Sequence, residues 1–161
     1  MPPSDILALT ADMPHRRLAP REVLFEQGDD GASLAILVDG ELHVELDGTQ
    51  LFEVTAPGAI VGEIAALLNT GRTATVVAHR ESTIRLVGDP GTLFADHPEI
   101  ALEVARQLAG RLQRLLAYLG DLREQYADAD GHLSVFDAVL ARLASRPPVE
   151  IEPGSDRSPD Y

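Results

Sequence analysis

The segment VGEIAALLNTGRTATV, residues 61–76, contains one acidic and one basic residue among mostly small and apolar residues. The acid is Glu63, the base is Arg72, and a glycine lies directly before each of them. A charge buried among such residues needs a partner, because an unpaired buried charge is costly. The simplest interpretation is an ion pair between these two side chains.

The small residues around Glu63 favour a second interpretation, an anion site. Gly62 lets backbone approach closely, and Ala65 and Ala66 leave room for amides to point into a pocket if a short helix begins there. A helix N-terminus beside a guanidinium is suited to phosphate. Glu63 would repel a phosphate that it touched, but it can accept from sugar hydroxyls further along. One phosphate and one ribose on one segment describe a nucleotide monophosphate.

The composition limits the class of protein. The 161 residues suit one domain of ordinary size with an appended segment. Thirteen basic and 26 acidic residues give a net charge of −13, which repels nucleic acid and anionic lipid. The chain has no cysteine for disulfide or thiol chemistry. With no signal-peptide pattern and no apolar run approaching the roughly 18 residues of a membrane span, we expect a cytoplasmic protein.

From residue 22 onward, short runs of alternating polarity predict β-strands. In ELHVEL, for example, Leu42, Val44 and Leu46 face the core while His43 and Glu45 face solvent, so each strand is expected to have one wet face. Many short strands of this kind build an antiparallel barrel or a jelly-roll-like sandwich. The predicted strands are EVLF, SLAILVD, ELHVELD, QLFEV, TATVVAH and STIRLV.

Helical patterns flank these strands. SDILALTAD, residues 4–12, predicts a short N-terminal helix, and MPHRRLAPRE after it predicts a polar connector. A helical turn at 92–96 precedes a long helix that begins with Pro98 and ends near residue 125. HLSVFDAVLARLAS predicts a shorter amphipathic helix, and the proline-rich, acidic end of the chain predicts a disordered tail.

The long helix carries a heptad repeat of apolar residues. This spacing favours a homodimer through a coiled coil, with packing inside one chain as the alternative. A second apolar line, Leu102, Ala109 and Leu116, is placed to pack onto the β-structure. The heptad residues are Ala101, Ala105, Leu108, Leu112, Leu115, Leu119, Leu122 and Tyr126.

The histidines predict no metal site. They are scattered along the chain and show no H-x-H spacing with a nearby glutamate, so a metal-dependent barrel enzyme of the cupin type is not favoured. His43, on the outward face of its strand, is expected to be solvated. The five histidines are His15, His43, His79, His97 and His132.

The segment GEIAALLNTGRTATV resembles the phosphate-binding cassette of cyclic nucleotide-binding domains. The family pattern, G-E-[LI]-[AG]-x-[LI]-x-x-x-x-R-[AST]-[AS]-[TS]-[VA], is met without a gap from Gly62 to Val76. Upstream, VLFEQGDDGASLAILVDGELHV resembles the first strands of the family, with Gly28 and Gly40 at its two turns, and APGAIVGE resembles the lead-in to the cassette. The resemblance covers about residues 18–120.

This resemblance implies a mainly β fold with flanking helices, namely a double-stranded β-helix (a jelly-roll or cupin-like β-roll) with an N-terminal helix and a long C-terminal helix. It divides the chain into an N-terminal helix and connector at 1–21, the β-roll at 22–97 with its cassette at 61–76, a lid and dimerisation helix at 98–126, an accessory helix at 127–145 and an acidic tail at 146–161.

The resemblance also implies roles in the cassette. Arg72 would pair with a cyclic phosphate, and the amides of Ala65 and Thr73 would add hydrogen bonds to it. Glu63 would accept a hydrogen bond from the ribose 2′-hydroxyl.

The remaining cassette residues would shape the pocket. Gly62 and Ile64 would contact the ribose, and Val61 and Val76 would line the walls.

The base would be covered by the long helix, where Arg111, Arg114 and Leu115 are possible base contacts. Thr73 admits cGMP, because a hydroxyl after the arginine can hold the amino group of a syn guanine, but it does not exclude cAMP.

These implications predict a stand-alone cyclic nucleotide sensor that moves its C-terminal helix and signals to a partner protein. Hydrolysis of the phosphate would need a metal or a general base, which the cassette does not supply, so we expect no enzyme, no catalytic residue, no metal and no cofactor other than the ligand cAMP or cGMP.

The family's transcription factors continue into a winged helix-turn-helix. Here one helix and a tail follow, so we expect no nucleic acid or membrane partner. The alternative is a scaffolding dimer whose relic site binds no nucleotide.

Overall fold

The computed structural model describes the chain over residues 3–125, with side chains over residues 5–121. The predicted accessory helix and acidic tail, and the side chains of Leu122 and Tyr126, lie outside these ranges. The chain divides into two compact units, residues 1–112 and residues 113–161. Among the helices described, none is both long and apolar enough to cross a membrane.

Within the described residues, eight antiparallel strands form two four-stranded sheets. The first sheet has the order β1-β8-β3-β6 and the second has the order β2-β7-β4-β5. Their inner faces enclose an aliphatic core that includes Leu37, Leu42 and Ile84. The predicted β-roll fold is thereby confirmed. The strands are β1 (His15–Leu18), β2 (Val23–Phe25), β3 (Leu34–Asp39), β4 (Leu42–Leu46), β5 (Thr49–Val54), β6 (Ile60–Val61), β7 (Thr75–Ala78) and β8 (Ser82–Val87).

Between residues 3 and 125, four helices accompany the sheets, including the predicted N-terminal and long C-terminal helices. The side chain of Asp89 caps the third helix by accepting from the Thr92 amide at 3.1 Å and the Thr92 hydroxyl at 2.7 Å. These hydrogen bonds lower the pKa of the Asp89 carboxyl. The helices are α1 (Pro3–Leu9), α2 (Glu63–Leu68), α3 (Pro90–Asp96) and α4 (Pro98–Gln125).

Strand β3 is buried on both faces, which corrects the expectation of one wet face per strand. Ala35 and Leu37 point into the core between the sheets, whereas Leu34 and Ile36 belong to a second core. Helices supply the other side of that second core, so the outer face of the first sheet is covered rather than solvated. The second core consists of Ile6, Leu34, Ile36, Ile60, Val87, Leu93, Ile100 and Val104.

Strand β1 corrects the prediction of a polar connector. His15, Arg16 and Arg17 are exposed, and only Leu18 of this strand is buried. An edge strand with a single core residue has no visible alternation, and its pairing comes from backbone hydrogen bonds to β8.

Helix α4 packs on the β-structure through a different face from the one predicted. Ile100 and Val104 are fully buried, with Leu108 packed beside them, while Leu102 is 52% exposed and Ala109 is also exposed. The α4 side chains that contact the body therefore lie four residues apart.

The outward residues of β4 are also less exposed than predicted. The side chain of His43 is 12% exposed because it hydrogen-bonds Glu41 at 2.9 Å and stacks on the ring of His79. Leu46, predicted to face the core, lies at the end of the strand and is 38% exposed.

The turn between β3 and β4 requires glycine at position 40. Gly40 has φ +116°, and a Cβ atom there would lie 2.5 Å from the Cα of Ser82. We expect Gly40→Ala to lower the free energy of unfolding by about 3 kcal/mol or more, since backbone strain and a backbone clash act together. Gly48→Ala is the matched control, because Gly48 has φ +76° with open space around it, and we expect a loss of about 1 kcal/mol there. Urea unfolding measures both, and equal losses would contradict the steric argument.

Candidate functional site

The predicted cassette begins with a sharp change of direction. Gly62 follows β6 with φ +80° and precedes α2, whose first residue is Glu63. A Cβ atom on Gly62 would lie 2.7 Å from Cε2 of Phe25 and 2.8 Å from Nη1 of Arg72, so glycine is required by close packing as well as by its backbone angle. The short helix brings the amide of Ala65 into its first turn, where backbone N–H groups have no intrahelical acceptor.

Arg72 is buried, with 6% of its surface exposed. Its Nη1 donates to the carbonyl oxygens of Ser33 at 2.7 Å and Gly62 at 3.1 Å, and its Nη2 donates to the Ser33 hydroxyl at 2.9 Å. The guanidinium also lies 3.8 Å from the centre of the Phe25 ring, a cation–π contact. Each of these partners is electrically neutral.

The loop before β3 holds the backbone of Arg72 in place. The amide of Arg72 donates to the carbonyl of Asp29 at 2.8 Å, and the amide of Gly28 donates to the carbonyl of Arg72 at 2.9 Å. Burial lowers the pKa of the Arg72 guanidinium, and the nearby charge of Asp29 opposes that shift. An arginine stays protonated at neutral pH, so this site carries a fixed positive charge.

Glu63 pairs with Arg111 of α4, which rules out the simple Glu63–Arg72 ion pair in this structure. The Glu63 side chain is 4% exposed and that of Arg111 is 20% exposed. Arg111 also donates through Nη2 to the carbonyl of Ile60 at 2.6 Å, and its guanidinium lies 5.4 Å from the centre of the Phe52 ring. The acid and the base of the cassette thus have separate partners.

An open pocket with a cavity volume of about 50 Å³ contains both charged groups. The eight cassette residues that the sequence predicts as ligand-binding all line it, and so does Arg111. Its lining residues are Phe25, Val44, Phe52, Val61, Gly62, Glu63, Ile64, Ala65, Arg72, Thr73, Ala74, Val76 and Arg111.

The other two predicted base contacts, Arg114 and Leu115, belong to the second compact unit and are not among the lining residues. Both are exposed, Leu115 by 53%. Their contact with a base stays a prediction.

Sequence reasoning missed Phe25, Phe52 and Ser33. Phe25 ends a predicted strand, Phe52 lies on β5, and Ser33 precedes β3, so all three are distant from the cassette in sequence. Val44 also lines the pocket, and for this residue the sequence offered a signal: the alternation of ELHVEL points its side chain inward.

The pocket combines the positive charge of Arg72, whose hydrogen-bond partners are neutral oxygens, with one carboxylate that a hydroxyl can approach. Among its lining residues there is no histidine or cysteine. The lining therefore suits binding of an anion joined to a hydroxylated group, through charge-assisted hydrogen bonds.

Comparison with known proteins identifies the same segment. The family model described as "Cyclic nucleotide-binding domain" matches residues 15–89. An acetyltransferase, Pat, of Mycolicibacterium smegmatis is 37% identical over 90 residues, which is 54% of this chain and 27% of that protein. The lysophospholipase NTE1 of Chaetomium globosum is 29% identical over 103 residues, which is 59% of this chain and 7% of that protein. The chain therefore spans only a small part of the acetyltransferase and of the lysophospholipase.

Two solved structures support the fold. A structure from work titled "A cyclic-GMP-dependent signalling pathway regulates bacterial phytopathogenesis" is 25% identical, with a TM-score of 0.57, and the match covers 69% of this chain and 94% of that one. A cyclic nucleotide-binding domain from Methylobacillus flagellatus is 26% identical, with a TM-score of 0.53, and the match covers 76% of this chain and 68% of that one.

The Glu63–Arg111 pair is expected to stabilise the fold more than a surface pair does. Replacing both residues by Gln, singly and together, should give a coupling of about 2 kcal/mol in the free energy of unfolding, because both groups are largely removed from water. The control pair, Arg16–Glu22, is in contact at 2.9 Å, but its side chains are 44% and 36% exposed, so solvent screens the pair and we expect a much smaller coupling. Urea unfolding of the two mutant cycles checks this, and a larger coupling for the surface pair would refute it.

Proposed function

We propose that this protein is a regulatory sensor of cAMP or cGMP, since its residues 15–89 match the family model described as "Cyclic nucleotide-binding domain". The ligand would lie in the pocket formed by the cassette, with its phosphate toward Arg72 and its ribose toward Glu63. Binding would change the position of α4, and a partner protein would receive the signal.

The observation that carries this proposal is the state of Arg72. Its buried guanidinium is satisfied only by neutral oxygens and an aromatic ring, so the positive charge is ordered but not neutralised. An incoming phosphate gains a charge-assisted, bidentate interaction with a group that is already oriented. The amides of Ala65 and Thr73 are the further donors that we assign to the phosphate.

Glu63 is the proposed acceptor for the ribose 2′-hydroxyl. It lies at the start of α2 on the pocket wall, between Gly62 and Ile64, which we assign to the ribose contact. Its present partner is Arg111, so a ribose hydroxyl would either share the carboxylate with that guanidinium or displace it.

The base is the least determined part of the ligand. Thr73 offers a hydroxyl at the pocket, and Val61 and Val76 offer apolar walls. Arg111 is the α4 residue among the residues that line the pocket. A similarity to a protein from work on cyclic GMP signalling adds weight to cGMP without deciding between the two nucleotides. We therefore propose cAMP or cGMP as the ligand class.

Arg111 is the proposed link between ligand and helix. Arg111 contacts the carboxylate of Glu63 and the carbonyl of Ile60. It therefore joins α4 to residues on both sides of Gly62, which we assign to the ribose contact. A ligand that changes either interaction changes the free energy of this helix position. Coupling of this kind is typically about 1–3 kcal/mol.

Assembly with a second copy of the chain remains part of the proposal. Large apolar side chains on α4 are exposed, among them Leu112 at 56% and Leu115 at 53%, and the heptad spacing places both on one stripe. The acetyltransferase and the lysophospholipase that this chain resembles in part are much longer proteins. For this chain we propose a cytoplasmic protein that binds its ligand without catalysis and has no nucleic acid or membrane partner.

Removing the guanidinium tests the ligand assignment. Arg72→Ala should weaken binding of cAMP or cGMP about 10- to 150-fold, because a charge-assisted hydrogen-bond pair is lost. Arg72→Lys keeps the charge but not the bidentate geometry and should fall between wild type and Arg72→Ala. Isothermal titration calorimetry with each nucleotide gives the affinities.

The control for this experiment is Arg16→Ala, which removes an arginine whose side chain is 44% exposed on β1. It should bind as the wild type does. Unchanged affinity in folded Arg72→Ala would refute the site, and a wild type that binds neither nucleotide would favour the scaffolding dimer with a relic site.

The link through Arg111 predicts a separable effect on α4. Saturating nucleotide should change amide hydrogen exchange in residues 98–112 of the wild type. Arg111→Ala also removes a pocket residue, so it should bind nucleotide more weakly and, at saturating nucleotide, lose most of that change. Arg106→Ala is the matched control on the same helix. The side chain of Arg106 is 53% exposed and pairs with Glu103 of the same helix, not with a pocket residue. An identical exchange response in wild type and Arg111→Ala would show that the helix is coupled by another route.

A further inference from the structure

A second group of potential ligand atoms lies on the outer face of the second sheet. Glu41 precedes β4, His43 lies within it, and His79 follows the neighbouring strand β7. Because successive side chains of a strand point to opposite faces, His43 points away from the pocket that its neighbour Val44 lines. This group therefore forms no part of the nucleotide site.

The pairing of β4 with β7 brings the three residues together. Leu42 pairs with Ala78, so Glu41 and His79 are the next opposed positions, and the amide of His79 donates to the carbonyl of Glu41 at 2.9 Å. The imidazoles of His43 and His79 stack with centroids 4.2 Å apart. One potential ligand atom from each of the three side chains lies within 4.8 Å of the other two.

Two of the three side chains are already held in position. Nε2 of His43 lies 2.9 Å from Oε1 of Glu41, and the side chains are 12% and 22% exposed. His79 is exposed and can rotate toward the other two.

Two imidazoles and one carboxylate are a ligand set typical of zinc and of neighbouring late transition metals. Bonds of about 2.0–2.2 Å in a tetrahedral site place ligand atoms about 3.3–3.5 Å apart. Ligand atoms of the group that are now up to 4.8 Å apart need to close by up to about 1.4 Å, whereas Nε2 of His43 and Oε1 of Glu41, 2.9 Å apart, need to separate slightly. Rotation of His79 out of the stack supplies that movement, and the metal takes the place of the proton shared by His43 and Glu41. The fourth position stays open to water.

The surrounding charges are mixed. Glu53 lies opposite His43 in the register of β4 and β5 and adds negative potential on the same face. Arg80 opposes a cation, since its Nε lies 3.9 Å from Oε2 of Glu41, but its side chain is 55% exposed and its charge is well screened. The net charge of −13 favours a cation over the protein as a whole.

We propose that Glu41, His43 and His79 form a binding site for one divalent late transition metal ion, of which zinc is the representative. The three ligands come from the beginning of β4 and the end of β7, so the bound ion would join these two strands outside the nucleotide pocket. The site is independent of the proposed sensor function.

Titration of the full chain with zinc chloride tests the proposal. Calorimetry should detect an equivalent of Zn²⁺ that is lost or weakened at least about tenfold in His43→Ala and in His79→Ala. Cobalt chloride should give the visible absorption of a tetrahedral Co²⁺ site in the wild type but not in His43→Ala or His79→Ala. His79 is exposed, so His79→Ala keeps the test valid should His43→Ala fail to fold.

His97→Ala is the matched control. His97 also contacts a glutamate two residues away, Glu99 at 3.5 Å, and it is not part of the three-residue group. This variant should keep the zinc equivalent, and all variants should keep their nucleotide affinity. The proposal is overturned if the wild type binds no zinc, or if both His43→Ala and His79→Ala bind zinc as the wild type does.

Discussion

The buried guanidinium of Arg72 is the constraint on which the pocket depends. Removing such a group from water is costly unless its donors are satisfied, and here carbonyl and hydroxyl oxygens satisfy them. That solution requires Ser33 at the start of β3, glycine at position 62, and the face of Phe25. Because none of these partners carries a negative charge, the hydrogen bonds are made but the charge is not neutralised, and the pocket is prepared for an anion.

Glu63 shows how two opposite charges can share a pocket without neutralising each other. A direct pair with Arg72 would remove the positive charge that an anion needs and would fill the space between them. The structure gives Glu63 a different partner, Arg111, which comes from α4. The pocket is therefore connected to a helix through its acid, while the hydrogen-bond partners of its base leave that positive charge available to an anion.

The cassette could be predicted because residues 61–76 contain a helix, a loop and a strand within one short, unbroken pattern. The strands with strong alternation and the long helix were predictable for a similar reason, since their periods are local. Ser33, Phe52 and the contact of His43 with His79 were not, because each depends on which strands become neighbours and in which register. Strand β1 has too few buried residues to show a period, and the covered outer face of β3 reflects helices far away in sequence.

The edge of the first sheet limits how far α4 can move. Strand β6 is two residues long, and side chains of α4 cover its free edge: Gln107 accepts from the amide of Ile60 at 3.0 Å and donates to the carbonyl of Gly58 at 3.2 Å, and Arg111 donates to the carbonyl of Ile60. Each neutral bond contributes about 0.5–1.5 kcal/mol and the charged one about 1.5–3 kcal/mol. Losing all three would cost about 2.5–6 kcal/mol, which in most of that range is more than the 1–3 kcal/mol that a ligand typically supplies. A ligand can therefore rearrange the Arg111 contacts while Gln107 keeps its own, and the helix is expected to shift about this anchor rather than to detach.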